Sequence, residues 1–578
     1  MDRHDTDVDE PEVNGTKGSN DTKRVIKDPV HDMIPISSRL STFIDTKQFQ
    51  RLRNIKQLGT SYYVWPGASH NRFEHCIGVA HLARWMATHL SNAQPELGIT
   101  ERDIECVQIA GLCHDLGHGP WSHVWDGLFI PRALPGRRWK HEHASVMMFD
   151  ALVRENDIDM SPKDERFIKA LISGEPGECD PDEKPFLFDI VANKRNGLDV
   201  DKFDYIPRDS HMIGDKMNIS YLRIIKSARV LDNQICYDIK DANLLYSICS
   251  ARFTLHKMVY NHKAAKAIEY MVVDALLAAE PYLHIAEQVF DPDRFLYLTD
   301  NILLTIEAST DPNLAPARAI VDRIRTRDNY KLVDYKAVDS VLADEFKKHI
   351  TPEAIVAEAK ALRGIEDRAR GLQPNDVICD FSMIHYGMKE ENPIDFVRFY
   401  SKRHPDRATK AVRGDISTIM PPCHMEFQVK IFTKNTKYFG VVQAGYRACL
   451  ANLEKHLMEQ ESSFEPTPLF PDTAPAGAAA EPTAPTPTPP APDAPSTPKQ
   501  RTKSFSRVSS FGFASADATP FANNEFTTVS TGFVPLSPSR GSRRAKRRWD
   551  AGPGDGSGSR TVSESSAASE PAKKVKTA

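Results

Sequence analysis

The chain has 578 residues, 40% of them hydrophobic, and a formal net charge of −4. That leaves room for about two to four domains and excludes a polycation that coats nucleic acid over its whole surface. Its nine cysteines are odd in number and irregularly spaced, with no CxxC pair, which argues for reduced thiols in an intracellular protein and against a disulfide framework or a structural zinc finger.

Residues 1–23 are rich in Asp, Glu, Asn, Gly and Thr, lack apolar periodicity, and read as a disordered N-terminus. Their acidic, polar character shows no signal peptide. No apolar run reaches the roughly 18 residues of a membrane helix, so no membrane partner is expected.

Globular sequence follows. Over 72–90, Cys76, Val79, Ala83, Met86 and Leu90 recur at helical spacing. Thr100 caps a second helix that carries Ile104, Val107 and Ile109 toward Cys113. A third covers 141–153, with Val146, Met147, Phe149 and Leu152 apolar. Residues 243–283 read as a long helical stretch broken once. Strand signals are sparse, the best being 234–239 and 425–432. The fold class is therefore mainly α, with minor β toward the C-terminal end and no internal repeat. From about residue 460 the composition changes. Residues 481–500 hold eight prolines among twenty, which cannot build a core and reads as extended chain.

Three segments carry chemistry. They are Ser69-His70-Asn71-Arg72-Phe73-Glu74-His75, Cys113-His114-Asp115-Leu116-Gly117-His118-Gly119-Pro120, and Asp199-Val200-Asp201-Lys202-Phe203-Asp204-Tyr205. His75, His114, Asp115 and Asp201 make a mixed nitrogen and oxygen set that suits iron, manganese, magnesium or zinc in a hydrolytic site. Taken alone, His75 reads equally as a core histidine near Val79 and Leu82. Helical neighbours diverge by about 100°, so His114 and Asp115 reach one ion only at a helix end, where Gly117, Gly119 and Pro120 break the pattern. His118, four residues beyond His114, is expected on the same face. His123 stands three residues before Asp126, which would orient it and favour its charged form. A protonated histidine beside a phosphate is a natural general acid for an alkoxide leaving group. His141, next to Glu142, adds another imidazole. The competing reading of these histidines is a solvated surface cluster.

Around Asp201, the residues Lys202, Tyr205, Arg208 and Asp209 also fit an exposed amphipathic helix. Arg252, His256 and Tyr260 recur at spacing four, with Lys263 nearby, and suit a polyphosphate. Their alternative is a polar groove between helices.

This constellation resembles the HD-domain phosphohydrolase superfamily. Longer runs resemble one member of it, the eukaryotic SAM- and HD-domain-containing deoxynucleoside triphosphate triphosphohydrolase family. These runs are Phe49-Gln50-Arg51-Leu52-Arg53, Ile55-Lys56-Gln57-Leu58-Gly59, residues 66–75 and 108–120, Asn193-Lys194-Arg195-Asn196-Gly197 and Glu391-Asn392-Pro393-Ile394-Asp395. Similarity spans about residues 24–449, and too few residues precede Arg24 to hold a SAM domain. The resemblance implies an α-helical HD catalytic domain over 24–290 and a smaller mixed α/β regulatory and assembly lobe over 291–459, ahead of a disordered tail over 460–578.

The implied reaction is hydrolysis of a dNTP to the deoxynucleoside and triphosphate. His75, His114, Asp115 and Asp201 would hold iron, manganese or zinc, with magnesium accompanying the nucleotide. Arg72, His118 and His141 would contact phosphates, and His123, aided by Asp126, would protonate the departing 5′ oxygen. Lys202, Tyr205 and Arg252 would grip the triphosphate, beside His256. Gln57, Leu58 and Asp209 would read the sugar's 3′ side, and Tyr260 would crowd out a 2′-hydroxyl. Asn261 stands where the family has a base-proximal glutamine.

Family members form tetramers when guanine nucleotides and dNTPs fill sites between subunits, so a homo-tetramer activated by GTP or dGTP is implied. Asp45, Gln50 and Arg53 match the guanine-reading residues, with Arg24 and Val25 at the adjoining phosphate contact. A second nucleotide pocket is matched in part by Val64, Trp65, Arg223, Lys240, Lys263, Arg407, Lys410 and Arg413. There, Lys27 replaces an asparagine, Ser227 an aromatic and Asp238 an arginine. The charge reversal should cost affinity for a triphosphate.

In the tail, Arg540, Arg543, Arg544, Lys546, Arg547 and Arg548, then Lys573, Lys574 and Lys576, read as signals for import receptors and hence a nuclear location. The alternative is a nonspecific polyanion patch. Ser537-Pro538-Ser539-Arg540 fits a cyclin-dependent kinase site, where phosphate would add roughly two negative charges beside the basic run. Two other functions fit less of the sequence. One is an HD-type phosphodiesterase on cyclic nucleotides or nucleic-acid ends, for which no GYP signature appears. The other is a nucleic-acid-binding protein with a vestigial site. Single-stranded nucleic acid remains compatible as a secondary partner of the enzyme.

Overall fold

Two capped helices set the frame of the computed structural model, which describes residues 22–462. The expected disordered termini, 1–23 and 460–578, are each slightly too long, since Thr22 and Lys23 begin a strand and residues 460–462 end a helix; the rest of both, with the Pro-rich run, the basic runs and Ser537, lies outside the described residues. Helix α1 (Arg72–Ala93) starts where the Asn71 N–H donates to Glu74 Oε1 at 2.7 Å. Helix α2 (Glu101–Cys113) starts with a reciprocal box. Thr100 N–H donates to Asp103 Oδ2 at 2.9 Å, and Asp103 N–H to Thr100 Oγ1 at 3.3 Å. The two helices pack closely where Gly111 leaves space for Ala83, whose Cβ would stand 3.1 Å from an added methyl group.

Around this pair the chain runs through a hairpin of β1 (Thr22–Asp28) and β2 (Asp32–Ser37). Helices α3 (His141–Glu155), α4 (Pro162–Ser173) and α5 (Val200–Met212) follow. Next come β3 (Arg229–Leu231), β4 (Gln234–Asp238) and α6 (Ala242–Leu255). The expected single break in 243–283 is found. Helix α6 passes into a π-helical turn at His256–Tyr260, the chain is interrupted at Asn261 and His262, and α7 (Lys263–Leu283) resumes. The Asn261 amide donates to the His256 carbonyl at 2.9 Å and closes that turn.

The remaining elements are α8 (Ala315–Arg325), β5 (Lys331–Val338), α9 (Ala343–His349), α10 (Pro352–Ala361), β6 (Val377–His385), β7 (Arg398–Ser401), β8 (His404–Thr409), β9 (Met425–Thr433) and α11 (Phe439–Ser462). Mainly α, as expected, the described residues also hold more strands than the two anticipated. Besides the hairpin, one sheet runs β3-β4-β7-β8 and another β5-β9-β6, with β9 central and both its pairings antiparallel.

Two apolar cores result. The first reaches from Ile34 to Phe432 and takes in α1, α2, α3, α5 and α7. It also includes Phe295, Leu298, Leu303, Ile306, Val321 and Ile324, so the segment before β5 packs with the larger body. The second core begins at Val333 and joins β9 to α10 and α11 through Phe427, Val429, Ile431, Ile355, Val442 and Leu453. Strand β9 serves both cores by its two-residue period. Phe427, Val429 and Ile431 face the second. Lys430 turns the other way to Asp380 (3.6 Å), which also accepts from Tyr270 of α7 (2.7 Å).

The turn after α2 is held against the start of α3. Gly117 N–H donates to Ser145 Oγ at 2.9 Å, and that hydroxyl donates to the His114 carbonyl at 2.6 Å. A Cβ at Gly117 would stand 2.1 Å from Ser145 N and 2.2 Å from the His141 carbonyl oxygen. Gly117→Ala should therefore lower stability by about 3 kcal/mol, the upper range for overpacking. Chemical denaturation against wild type measures it, and an unchanged midpoint would show that the turn can move away freely.

Candidate active site

Helix α2 stops at Cys113, and the backbone after it turns through Leu116 N–H to the Cys113 carbonyl (3.2 Å) and His118 N–H to the Asp115 carbonyl (3.2 Å). This turn is what lets His114 and Asp115 aim at one point. It also corrects the expectation for His118, which lies on the turn rather than one helical turn above His114.

His75 of α1, His114 and Asp115 of the turn, and Asp201 in the first turn of α5 converge. His75 Nε2 lies 3.2 Å from Asp201 Oδ1 and 3.6 Å from Asp115 Oδ2. His114 Nε2 lies 3.4 Å from Asp115 Oδ1 and 3.6 Å from Asp201 Oδ1. Both imidazoles are held in one tautomer from behind. His114 Nδ1 donates to the Gly111 carbonyl at 2.8 Å, and His75 Nδ1 to Asp204 Oδ2 at 2.7 Å. Each Nε2 thus presents a lone pair toward carboxylate oxygens, an arrangement that is repulsive without a cation between them. His114 Nε2 is buried with no hydrogen-bond partner. Without a cation there, burial opposes charge on His75, yet hydrogen bonds that the charged ring donates to Asp201 and Asp204 outweigh it and push its pKa up to about 10. The locus favours positive charge, and these residues fit a divalent metal.

Asp204 is the support that sequence reasoning missed. Fully buried, it takes His75 Nδ1 on one oxygen and His31 Nε2 on the other (2.6 Å), and Arg208 clamps both oxygens at 2.8 Å. Arg208 also reaches Asp28 Oδ2 at 2.8 Å, which ties the hairpin to α5. Despite burial, Arg208, His31 and His75 hold the Asp204 carboxyl well below the usual range. The alternative of an exposed amphipathic α5 is overturned, because Arg208 and Asp209 are also buried.

A cavity of about 510 Å³ opens beside the quartet, a size suited to a small-molecule ligand. Its walls include Gln57, Leu58, Arg72, His75, Asp115, His118, His123, His141, Asp201, Lys202, Tyr205, Asp209, Arg252, His256, Tyr260 and Asn261. Lys263, expected near the Arg252 face, instead lines a separate pocket with Asn329, Tyr330 and Leu332. Arg72 pairs with Asp115 and donates to Ser122 Oγ at 2.8 Å. Lys202 Nζ sits 3.1 Å from Asp199 Oδ1 and 4.0 Å from Asp201 Oδ2. Tyr260 donates to Asp209 Oδ2 at 2.6 Å, while His70 Nε2 holds Asp209 Oδ1 at 2.7 Å.

The three further histidines form one group. The His118 ring stacks on His141 with centroids 4.0 Å apart, and His123 stands edge-on to both at 5.1 and 5.5 Å. Asp126 serves them differently from the expectation. Its Oδ2 bonds His141 Nδ1 at 2.6 Å, whereas its Oδ1 lies 3.7 Å from His123 Nδ1, beyond a hydrogen bond. Burial works against charge on His141, but Asp126 raises its pKa. Burial and then Arg72 hold His118 well below the usual range and keep it neutral. His123 is largely exposed at the cavity mouth. Its position follows two consecutive left-handed residues, Trp121 (φ 55°) and Ser122 (φ 57°). Such backbone persists only when over-determined, here by Trp121 N–H to Asp300 (2.7 Å) and by Ser122 Oγ to the Lys56 carbonyl (2.8 Å). No sequence signal announces that strain.

Comparison with known proteins places this geometry. The HD domain matches residues 72–206, and the HD associated region matches 219–393. The deoxynucleoside triphosphate triphosphohydrolase SAMHD1 of Bos taurus is 43% identical over 469 residues, covering 75% of this chain and 79% of that protein. Its Homo sapiens counterpart is 42% identical over 72% and 71% of the two chains. The SAMHD1 homolog of Dictyostelium discoideum is 36% identical over 78% and 84%.

The chain belongs to the SAMHD1 family of HD-domain enzymes.

The residues expected from the resemblance to read guanine form two local pairs. Arg24 bonds Asp45 at 2.7 Å, beside exposed Val25, and Arg53 bonds Gln50 Oε1 at 2.8 Å. Arg53 also lies over the ring of Phe73, 3.5 Å from its centroid and two residues before His75. Matches to the second pocket are spread over several elements. Half-buried Val64 precedes Trp65, which meets His262, just before Lys263, with rings 5.1 Å apart. Arg223 pairs with Asp241 (2.6 Å) and Lys240 with Asp238 (3.1 Å). Arg407 and Lys410 are exposed at and just beyond β8, while the side chain of Arg413 lies outside what is described.

Removing the outer support should loosen the metal ligands of this family member. Asp204→Asn should weaken metal affinity about 10–100-fold, as changes behind a ligating histidine do, and reduce stability by about 3–5 kcal/mol by breaking a buried ion pair. Metal content per folded monomer, measured after dialysis against graded metal buffers, checks this. Wild-type occupancy would remove Asp204 from the role.

Proposed function

We propose that this chain hydrolyses deoxynucleoside triphosphates to the deoxynucleoside and inorganic triphosphate, with a guanine nucleotide as activator. The observation that carries the reading is the donor quartet at one end of a cavity whose walls hold Arg72, Lys202 and Arg252. The named activity of relatives at 42–43% identity supports the substrate class.

The products require water to attack the α-phosphorus while the bond to the 5′ oxygen breaks. His75, His114, Asp115 and Asp201 would hold a divalent cation, which when bound would supply Lewis-acid charge stabilisation and lower the pKa of a water. Arg72, Lys202, Arg252 and protonated His141 neutralise the phosphates. His123 at the mouth donates the proton that the 5′ oxygen needs. Tyr260, anchored on Asp209, narrows the space beside the sugar. The Oε1 of Gln57 is buried without a partner and is available to a sugar hydroxyl.

The Arg24–Asp45 and Gln50–Arg53 pairs give the activator reading its chemistry, since a carboxylate and an amide match guanine's N1 and N2 donors. Because Asp238 already pairs with Lys240, it competes with any second triphosphate for that ammonium group. Homo-tetramer assembly, a nuclear location through the basic tail and secondary binding of single-stranded nucleic acid belong to the same proposal.

Incubation with each dNTP, with and without GTP, should release the free deoxynucleoside and tripolyphosphate, faster with GTP. His114→Ala should lower kcat/KM by at least about a thousand-fold, in line with several kcal/mol of lost stabilisation. Appearance of dNMP and pyrophosphate instead, or cleavage of cyclic nucleotides or nucleic-acid ends, would refute the reaction.

Protonated His141 should set an alkaline limb. Its raised pKa holds the charge to higher pH than an ordinary imidazole does, and the charge is lost as pH climbs further. Asp126→Asn removes the cause, so the alkaline limb of kcat/KM should move to lower pH. A limb that stays where it is would separate His141 from the pH dependence.

A further inference from the structure

Away from the cavity, Glu345, His349 and His456 each offer a ligand atom within 4.8 Å of the other two. We propose that this trio is a second metal site, for zinc or a similar imidazole-preferring divalent ion, that clamps α9 to α11.

The helical register makes half of the site. Glu345 and His349 are four residues apart and share a face of α9. His349 Nδ1 donates to the Glu345 carbonyl at 3.0 Å, which fixes the ring and leaves Nε2 with its lone pair. That backbone bond does for His349 what the Gly111 carbonyl does for His114. The opposite helix supplies the other imidazole, with the His456 ring centroid 5.2 Å from that of His349. Glu345 Oε2 is buried, lies 3.5 Å from His349 Nδ1 and makes no hydrogen bond. A buried carboxylate oxygen without a donor is costly, and a cation between it and the two rings removes that cost.

The trio rests on a stiff floor. Phe346 and Ile350 on the α9 side, and Leu453 three residues before His456, are all buried within the second core. Tetrahedral zinc, with ligand bonds of about 2.0–2.2 Å, sets its donors about 3.4 Å apart. The three donors already lie within 4.8 Å of one another and would close toward that spacing on binding. Two imidazoles with one carboxylate favour zinc, cobalt, nickel or copper over magnesium and calcium, and three protein ligands leave one position for water. The site is separate from the HD quartet and uses none of its residues.

Zinc titration of the full-length chain in a His114→Ala, Asp115→Ala background tests the clamp, with a chromophoric chelator as competitor. The expected result is one equivalent of Zn2+, a rise in the unfolding midpoint on binding, and tetrahedral Co2+ absorption when cobalt is used. Adding His456→Gln or His349→Gln should weaken Zn2+ binding at least ten-fold and abolish both the rise and the absorption. Retention of tight binding in either glutamine variant, or no binding by the parent, would overturn the site. Should the background variant not fold, the otherwise wild-type chain gives the same decision. His456→Gln should lower its zinc stoichiometry from two equivalents to one, and an unchanged stoichiometry would refute the proposal.

Discussion

One buried carboxylate organises the catalytic half of this molecule. Asp204 has no access to water, and three partners from three segments share its oxygens: His75 in α1, His31 in the β1–β2 turn, and Arg208 one turn along its own helix. An ionised carboxylate inside a protein survives only when every lone pair is met. Meeting them here forces the hairpin, α1 and α5 into one relative placement. Gly78 lets that happen, because a methyl group there would stand 1.9 Å from Asp204 Oδ1. Placement of His75 is thus a by-product of satisfying Asp204, and with His75 comes the edge on which the metal quartet is built.

Charge in the cavity is arranged in two zones. Near the quartet, carboxylates outnumber cations and favour a positive ion. Directly beside it, Arg72 pairs with Asp115 and Lys202 lies 4.0 Å from Asp201, and both line the cavity together with Arg252. His118 and His141, also lining the cavity, stack face to face with centroids 4.0 Å apart. Their surroundings push them in opposite directions: burial and then Arg72 lower the His118 pKa, while Asp126 raises that of His141 against burial.

How much of this could be read from the letters differs by element. Helices α1 and α2 were legible because their caps and apolar periodicity are local. The quartet was legible because a His-Asp pair at a glycine-broken helix end has few structural uses. Most cavity residues expected from the sequence do line the cavity, His118 and His123 among them, although His118 sits on a turn and Asp126 bonds His141 instead of His123; Lys263 is the exception and lines a separate pocket. Asp204, His31 and Arg208 were invisible as a unit, since nothing in a chain says that residues 173 positions apart will share a proton donor and acceptor. The polarity of α5 reads the same whether its charges meet water or one another. Left-handed backbone at Trp121 and Ser122 is likewise imposed by tertiary bonds, on residue types that ordinarily avoid it.

Strand β9 carries a consequence for how this chain can change over time. Its odd-numbered residues from Phe427 to Ile431 belong to an oily interior, and the even-numbered Gln428 and Lys430 to a polar one. A single inserted or deleted codon here would exchange the two sets at once, placing an ammonium in oil and isoleucine among carboxylates. Length variation in this segment is tolerable only in pairs.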